Sequence, residues 1–376
     1  MNLKIIIVSH EPLTKRTYAM FNIDGYFQKG FDVEYWNISE LLGGISYLPN
    51  MTYFDFQKNI VTVKDLNKEV NITKGYSKCI LILEFPLNWK NRSLLLLLLS
   101  TSHKALFQIN FYANTSLDMN LGEKLKNAIH ENFLKKVRDK IGYYLFHSFK
   151  RRHHISINNV SSKADSILKI NHPDYESYRD EKERRILSDR YIVFIDTFFP
   201  YHPDFKYLHD RDLRYLSNSY FGSLNSFFQY VENKYNLSVI IAAHPKAEYT
   251  SEFGRRKIIK NETLNLIRYA EIVLIHASNA ISYIVLANKP FVFITNTAYS
   301  SVNFLDNRLR KLAALFHARV ENIDEEMDIQ VNYLTEQDRK TYMYTYLTDE
   351  NIRNSRNIDL LTSYFTNEDK YNNTSL

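Results

Sequence analysis

The stretch Leu264–Ile294, LNLIRYAEIVLIHASNAISYIVLANKPFVFI, decides the fold. Thr263–Tyr269 spaces its apolar residues as a helix does, and Ile272–Ile275 is an unbroken aliphatic run. Ser278–Ala287 returns to helical spacing before Phe291–Ile294, a second unbroken apolar run. Short apolar runs without polar alternation are what strands covered on both faces look like. A helix between two such runs makes a parallel crossover unit. Upstream the pattern continues through strand Tyr191–Ile195, helix Leu213–Lys234 and strand Ser238–Ala242.

The first half repeats the alternation. Lys4–Val8, Val33–Trp36, Ile60–Val63, Cys79–Leu83, Leu106–Phe111 and Ser166–Ile170 read as strands. Helical patterns fall over Thr14–Lys29, through the leucine run Leu94–Leu99, and over a long basic stretch from Leu121 to Phe149. Between the two series, Tyr175–Arg190 is dense in charge and lacks a long apolar run, which suits a linker or an exposed helix. The expectation is an α/β chain of two Rossmann-like domains with mostly parallel sheets facing a central cleft. The first domain is set at 1–175, a linker at 176–190 and the second domain at 191–345. A helical segment with a polar tail takes 346–376.

A chain of 376 residues with 45% hydrophobic content supplies two ordinary cores. It holds 28 Tyr and 24 Phe but only 9 Gly, and neither GxGxxG nor GxxxxGK[ST] occurs. That weighs against a typical dinucleotide-binding domain and a P-loop kinase. The single cysteine, Cys79, excludes an intramolecular disulfide and reads as a buried thiol in a reducing cytoplasm. The apolar run Ile5–Val8 is too short for a signal peptide, and Leu94–Leu99 falls far short of the roughly 20 residues of a membrane span. No HExxH, paired CxxC or GxSxG is present, and the lone DxD, Asp210-Arg211-Asp212, opens a helical pattern. A metal is therefore not expected.

The net charge of +6 is concentrated. Between Leu134 and His153, seven Lys/Arg stand against Asp139 alone. The window reads either as a solvated helix face or as a docking surface for an anionic membrane. No nucleic-acid motif accompanies it, so nucleic acid is not an expected partner.

Parallel sheets bind ligands beyond the carboxyl ends of their strands. In the second half the residues so placed are Asp196-Thr197, His244-Pro245, His276-Ala277-Ser278-Asn279 and Thr295-Asn296. An imidazole at His244 can donate to a phosphate or cap a carbonyl. Ser278 can cap a helix, or that helix start can offer N–H groups to an anion. Asp196 lines a nucleotide pocket or serves turns at Pro200 and Pro203. Arg256, in Gly254-Arg255-Arg256-Lys257, neutralises phosphate or belongs to an exposed basic loop.

The order of His244-Pro245, then His276-Ala277-Ser278, then Lys289-Pro290 resembles the carboxy-terminal half of GT-B transferases of bacterial surface polysaccharides. It is similar to sialyltransferases and Kdo transferases, which pair an HP motif with a later serine motif. It also resembles teichoic-acid glycerophosphotransferases. The resemblance covers residues 190–300 best. It implies phosphate binding by His244 and Ser278, a nucleotide-sugar donor with CMP-sugars favoured and UDP-sugars open, and a glycan or lipid-linked acceptor. An inverting transfer also needs a base. Glu11 follows the first strand, with His10 and Arg16 as polar neighbours, and Glu84 ends another strand. Both are candidates, with Glu11 favoured. The reading is a metal-independent glycosyltransferase, cytoplasmic or peripheral at the inner membrane face. The alternatives are a CDP-polyol phosphotransferase and a non-catalytic nucleotide-sugar or glycan-binding protein.

Overall fold

The structure, a computed structural model, describes residues 3–41, 60–62, 68, 71, 79–85, 91–99, 105–110, 137–138, 141, 153–157, 166–203, 205–206 and 211–367. The chain forms two compact units, with Asp174–Thr348 making the body of the second and Asp349 onward returning to the first.

The first unit is built from β1 (Lys4–Ser9), α1 (Lys15–Met20), α2 (Ile23–Gln28), β2 (Asp32–Asn37), β3 (Ile60–Thr62), β4 (Cys79–Glu84), α3 (Arg92–Leu99), β5 (Ala105–Asn110), β6 (His153–Ser156) and β7 (Ser166–Lys169). The sheet order is β3-β2-β1-β4-β5-β6-β7 and every pairing is parallel. Alternate residues of β1 serve opposite faces, as the strand period requires. Ile5 and Ile7 join one core, while Ile6 and Val8 meet Leu94, Leu95 and Leu98 of α3 in the other. The helix expected over Thr14–Lys29 is two helices, because Asn22 adopts a left-handed φ of 51° between them. His153-His154 opens β6, whose Ile155 is buried. Nearly all of the basic window at 134–153 lies outside the described residues.

The second unit carries α4 (Pro173–Asp180) at its start, then β8 (Tyr191–Ile195), α5 (Ser217–Tyr235), β9 (Ser238–Ala243), β10 (Ile258–Lys260), α6 (Thr263–Tyr269), β11 (Ile272–Ile275), α7 (Ile281–Ala287), β12 (Phe291–Thr295), α8 (Thr297–Ser300), α9 (Asn303–Ala314), β13 (Val320–Asn322) and α10 (Glu336–Tyr342). Its sheet is β10-β9-β8-β11-β12-β13, again all parallel. The unbroken runs behave as expected, since β8, β11 and β12 are buried at every position. The stretch expected as a linker packs into this unit. Arg268 on α6 lies 4.8 Å over the Tyr178 ring and donates through Nη2 to the Tyr178 carbonyl at 2.6 Å.

The terminal helix α11 (Asn357–Thr366) falls within the segment expected to be helical and joins the first unit's core. Phe365 packs 5.0 Å from Phe107 and stacks on Tyr26. Asn171 N–H donates to Asn357 Oδ1 at 2.7 Å and Asn357 Nδ2 returns a bond to the Asn171 carbonyl at 2.8 Å. Gly25 on α2 permits this docking, because a Cβ there would meet Ile358 Cγ1 at 2.8 Å. Among the described residues, no helix is long and apolar enough to cross a membrane.

Candidate functional site

In the second sheet the chain runs outward from β8 through β9 to β10 on one side, and from β11 through β12 to β13 on the other. The topological switch point therefore lies between β8 and β11, where open α/β sheets hold ligands. Asp196-Thr197, His244-Pro245 and His276–Asn279 follow β8, β9 and β11, so the strand order sets them side by side along the carboxyl edge.

Asp196 ties the first two turns together. One carboxylate oxygen accepts from Phe198 N–H at 2.9 Å, and the other accepts from His244 N–H at 3.0 Å and Tyr249 O–H at 2.8 Å. Burial pushes its pKa up to about 6, against the pull of these donors toward the charged form. Phe198, held by this carboxylate, has a left-handed φ of 58°, and its ring stacks against His244 at 6.1 Å. His202 meets the same imidazole edge-on at 4.9 Å. Pro245 sits inside the turn closed by Ala247 N–H on the His244 carbonyl at 2.8 Å. His244 Nδ1 accepts the Lys246 N–H at 3.2 Å. In a neutral ring that assigns the proton to Nε2, making it a donor. Thr197 Oγ1 is buried and has no hydrogen-bond partner among the described residues.

His276 does something else. Its Nδ1–H donates to the Ile294 carbonyl at 2.7 Å, so Nε2 accepts from Tyr220 O–H at 2.9 Å. The ring is fully buried and stacks 4.3 Å from Tyr299, and burial pushes its pKa down to about 4. Both nitrogens are committed inside the protein. The expectation of His276 as a ligand-binding residue is corrected to that of a neutral strut.

Ser278 and Asn279 precede α7 rather than opening it, because the helix begins at Ile281. Ser278 Oγ accepts from Ala280 N–H at 3.3 Å, and the N–H groups of Ile281, Ser282 and Tyr283 bond to the carbonyls of Ser278, Asn279 and Ala280. The donors expected at the helix start are thus already used. Donors remain one step earlier, since the N–H groups of Ser278 and Asn279 have no partner among the described residues. Asn279 Oδ1 accepts from Arg308 Nη2 at 3.0 Å. Arg308, from α9, escaped the sequence reading. Its signal was a cation beside the apolar stripe of Leu305, Leu309 and Leu312.

Arg256 is corrected outright. Its guanidinium grips Glu232 at 2.8 Å and 3.1 Å, donates to Asn225 and covers the Phe228 ring at 5.3 Å. It precedes β10, whose Ile258 pairs with Ile241, so it stands toward the amino end of a parallel sheet, away from His244.

The first unit has its own switch point, between β1 and β4. Ser9 O–H donates to Glu84 Oε2 at 2.5 Å, and His10 Nδ1–H donates to the Glu84 carbonyl at 2.8 Å. His10 Nε2 then lies 3.8 Å from Glu11 Oε1. Tyr35 O–H and Ser9 Oγ hold the Glu11 backbone at 2.8 Å and 3.2 Å. Glu11 and Glu84 therefore belong to one cluster. The Arg16 side chain lies outside what is described.

Strand order and carboxyl-edge polar groups define the class as a chain of two Rossmann-like α/β units. No family model and no curated protein matches it. Among solved structures the chain is similar to UDP-GlcNAc 2-epimerase of Methanocaldococcus jannaschii, at 12% identity over 91% of this chain and 98% of that one, TM-score 0.43. MurG of Acinetobacter baumannii shares 9% identity over 96% and 100% of the two chains, TM-score 0.42. The glycosyltransferase SnogD of Streptomyces nogalater shares 9% identity over 94% and 92%, TM-score 0.44. Likeness at this level speaks to neither substrate nor reaction.

Proposed function

We propose that the chain is a GT-B glycosyltransferase that moves a sugar from a nucleotide-sugar donor to a glycan or lipid-linked acceptor in surface-polysaccharide synthesis. The observation that carries the reading is the Asp196-held turn, which fixes His244 as an Nε2–H donor beside the switch point. Ser278 stands across that point, after β11. In this reading His244 and Ser278 bind the donor phosphate, Thr197 assists, and CMP-sugars are favoured over UDP-sugars.

Glu11 accepts the proton of the acceptor hydroxyl as its oxygen bonds to the anomeric carbon. The bond from that carbon to the phosphate oxygen breaks, and the negative charge that develops there is met by the His244 donor. Glu84 and Ser9 position His10 beside Glu11. A lipid-linked acceptor would bring the enzyme to the inner membrane face, where the basic window 134–153 meets anionic lipid.

The test is donor turnover across CMP-, CDP- and UDP-linked compounds, with and without acceptors. Release of free sugar from one donor supports the reading. Release of polyol phosphate would reassign the chain to phosphotransfer, and binding without turnover would make it a binding protein. His244→Ala should weaken nucleotide affinity about ten-fold or more, the worth of one charge-assisted hydrogen bond. Unchanged affinity would sink the site.

A further inference from the structure

We propose that Arg308 is the cation that neutralises a phosphoryl group seated on the Ser278–Asn279 turn. The inference rests on the reading that this edge binds a nucleotide, and it names the residue that supplies the charge.

Three observations meet there. The first is a cation without a counter-charge. Arg308 lies beside the buried stripe of α9 and is itself partly exposed, and the only hydrogen bond it makes to a described residue is to the neutral Asn279. No carboxylate reaches it among the described residues, whereas Arg310, one half-turn on, pairs with Asp306 at 2.8 Å. Long cations normally extend their heads to water, so holding one half-buried beside an amide costs free energy unless an anion arrives. Burial accordingly lowers its pKa from the ordinary arginine value.

The second is the pair of unbonded N–H groups at Ser278 and Asn279, in the turn that Arg308 grips. Consecutive backbone donors with a guanidinium alongside are the usual makings of a phosphate cradle. The third is charge layout. Asp196 follows the adjacent strand β8 and turns its carboxyl oxygens to three donors there, so acceptor oxygens already crowd that side of the switch point. A phosphoryl group is repelled there and drawn toward β11, where Arg308 stands. His244 then donates to the uncharged or bridging side of the ligand, and Arg308 takes the charged oxygens.

The experiment is calorimetric titration of the full chain with inorganic pyrophosphate, CMP, CDP and UDP, comparing wild type with Arg308→Gln and Arg308→Lys. Circular dichroism and hydrogen exchange at β11 check the fold. The expected result is a loss of about 10- to 100-fold in pyrophosphate and nucleotide affinity for R308Q, as for one lost charged hydrogen-bonding group. R308K, which keeps the charge, should recover part of that loss, and the salt dependence of binding should flatten only in R308Q.

Equal pyrophosphate affinity in wild type and R308Q overturns the inference while leaving the glycosyltransferase reading intact. R308K as weak as R308Q, with β11 exchange accelerated in both, also overturns it, since Arg308 would then merely hold Asn279. A wild type that binds no pyrophosphate removes the site altogether. Arg308-dependent pyrophosphate binding without any nucleotide-sugar binding keeps this inference and sinks the proposed function.

Discussion

Replacing His276 by phenylalanine tests the assignment of that residue as a neutral strut. Phenylalanine keeps a flat ring at the Tyr299 stack, though a somewhat larger one, while the Ile294 carbonyl and the Tyr220 hydroxyl lose their partner. Two orphaned buried groups cost about 1–3 kcal/mol each, so H276F should be ~2–6 kcal/mol less stable at pH 7. The pH dependence is the sharper test. An unfolded histidine binds its proton near 6.5, whereas the folded one waits until about 4. Between those values the unfolded state holds more protons, so His276 contributes stability that is present above pH 6.5 and lost as pH falls toward 4. A displacement of that size corresponds to about 3 kcal/mol.

The gap between wild type and H276F should therefore shrink by ~3 kcal/mol from pH 7 to pH 4. Asp196 is common to both proteins, and its own titration cancels in the difference. Tryptophan fluorescence would miss the event, because the chain's 2 tryptophans, Trp36 and Trp89, both precede the second unit. Native-state hydrogen exchange at the amides of Ile272–Ile275, corrected for intrinsic rates, reads the right strand. A gap that stays constant within about 0.5 kcal/mol across that range, finer than the ~3 kcal/mol expected, would refute the buried neutral imidazole.

Asp196→Asn should act with the opposite sign. The folded carboxyl titrates near 6 rather than 3.8, so its contribution is present below 3.8 and lost as pH rises through 6. D196N should abolish about 3 kcal/mol of that decline, seen in the same exchange experiment. The amide also turns a donor toward His244 N–H, so nucleotide affinity measured by calorimetry should drop in D196N even where the fold persists. Glu11→Gln should leave donor affinity unchanged and abolish transfer, measured by radiolabelled sugar incorporation; full activity would remove Glu11 from the mechanism. Gly25→Ala forces a Cβ within 2.6 Å of Asn22 Oδ1 and 2.8 Å of Ile358 Cγ1. It should destabilise the first unit by ~1–3 kcal/mol in a denaturant titration followed by tryptophan fluorescence. An unshifted midpoint would mean α11 docks elsewhere.

The central strands were legible because a strand covered on both faces must be apolar throughout, and Ile272–Ile275 or Phe291–Ile294 has no other comfortable reading. Edge strands escape that rule. β10 and β13, at the two edges of the second sheet, have three residues each with polar members, so nothing in their composition sets them apart from loops; β6, though interior, opens with two histidines and is as hard to read. The site divides along the same line. That His244 and Ser278 follow strands is local information and could be read directly. That Asp196 binds Tyr249, 53 residues away, or that His276 spends both nitrogens internally, is set by tertiary contacts that no window of sequence contains.

Arg308 lies between these cases. It is 29 residues from Asn279, yet its oddity is local, because Leu305, Leu309 and Leu312 mark the buried stripe and Arg308 falls beside it. Helical periodicity treats such a charge as an exception to be tolerated. Physically it is a constraint, since a helix that turns a guanidinium inward must find it a carboxylate, a set of carbonyl acceptors or an anion from outside. Among the described residues the first is absent, and one amide oxygen serves in place of the second. Because Arg308 is partly exposed, water can meet its head until an anion takes that place.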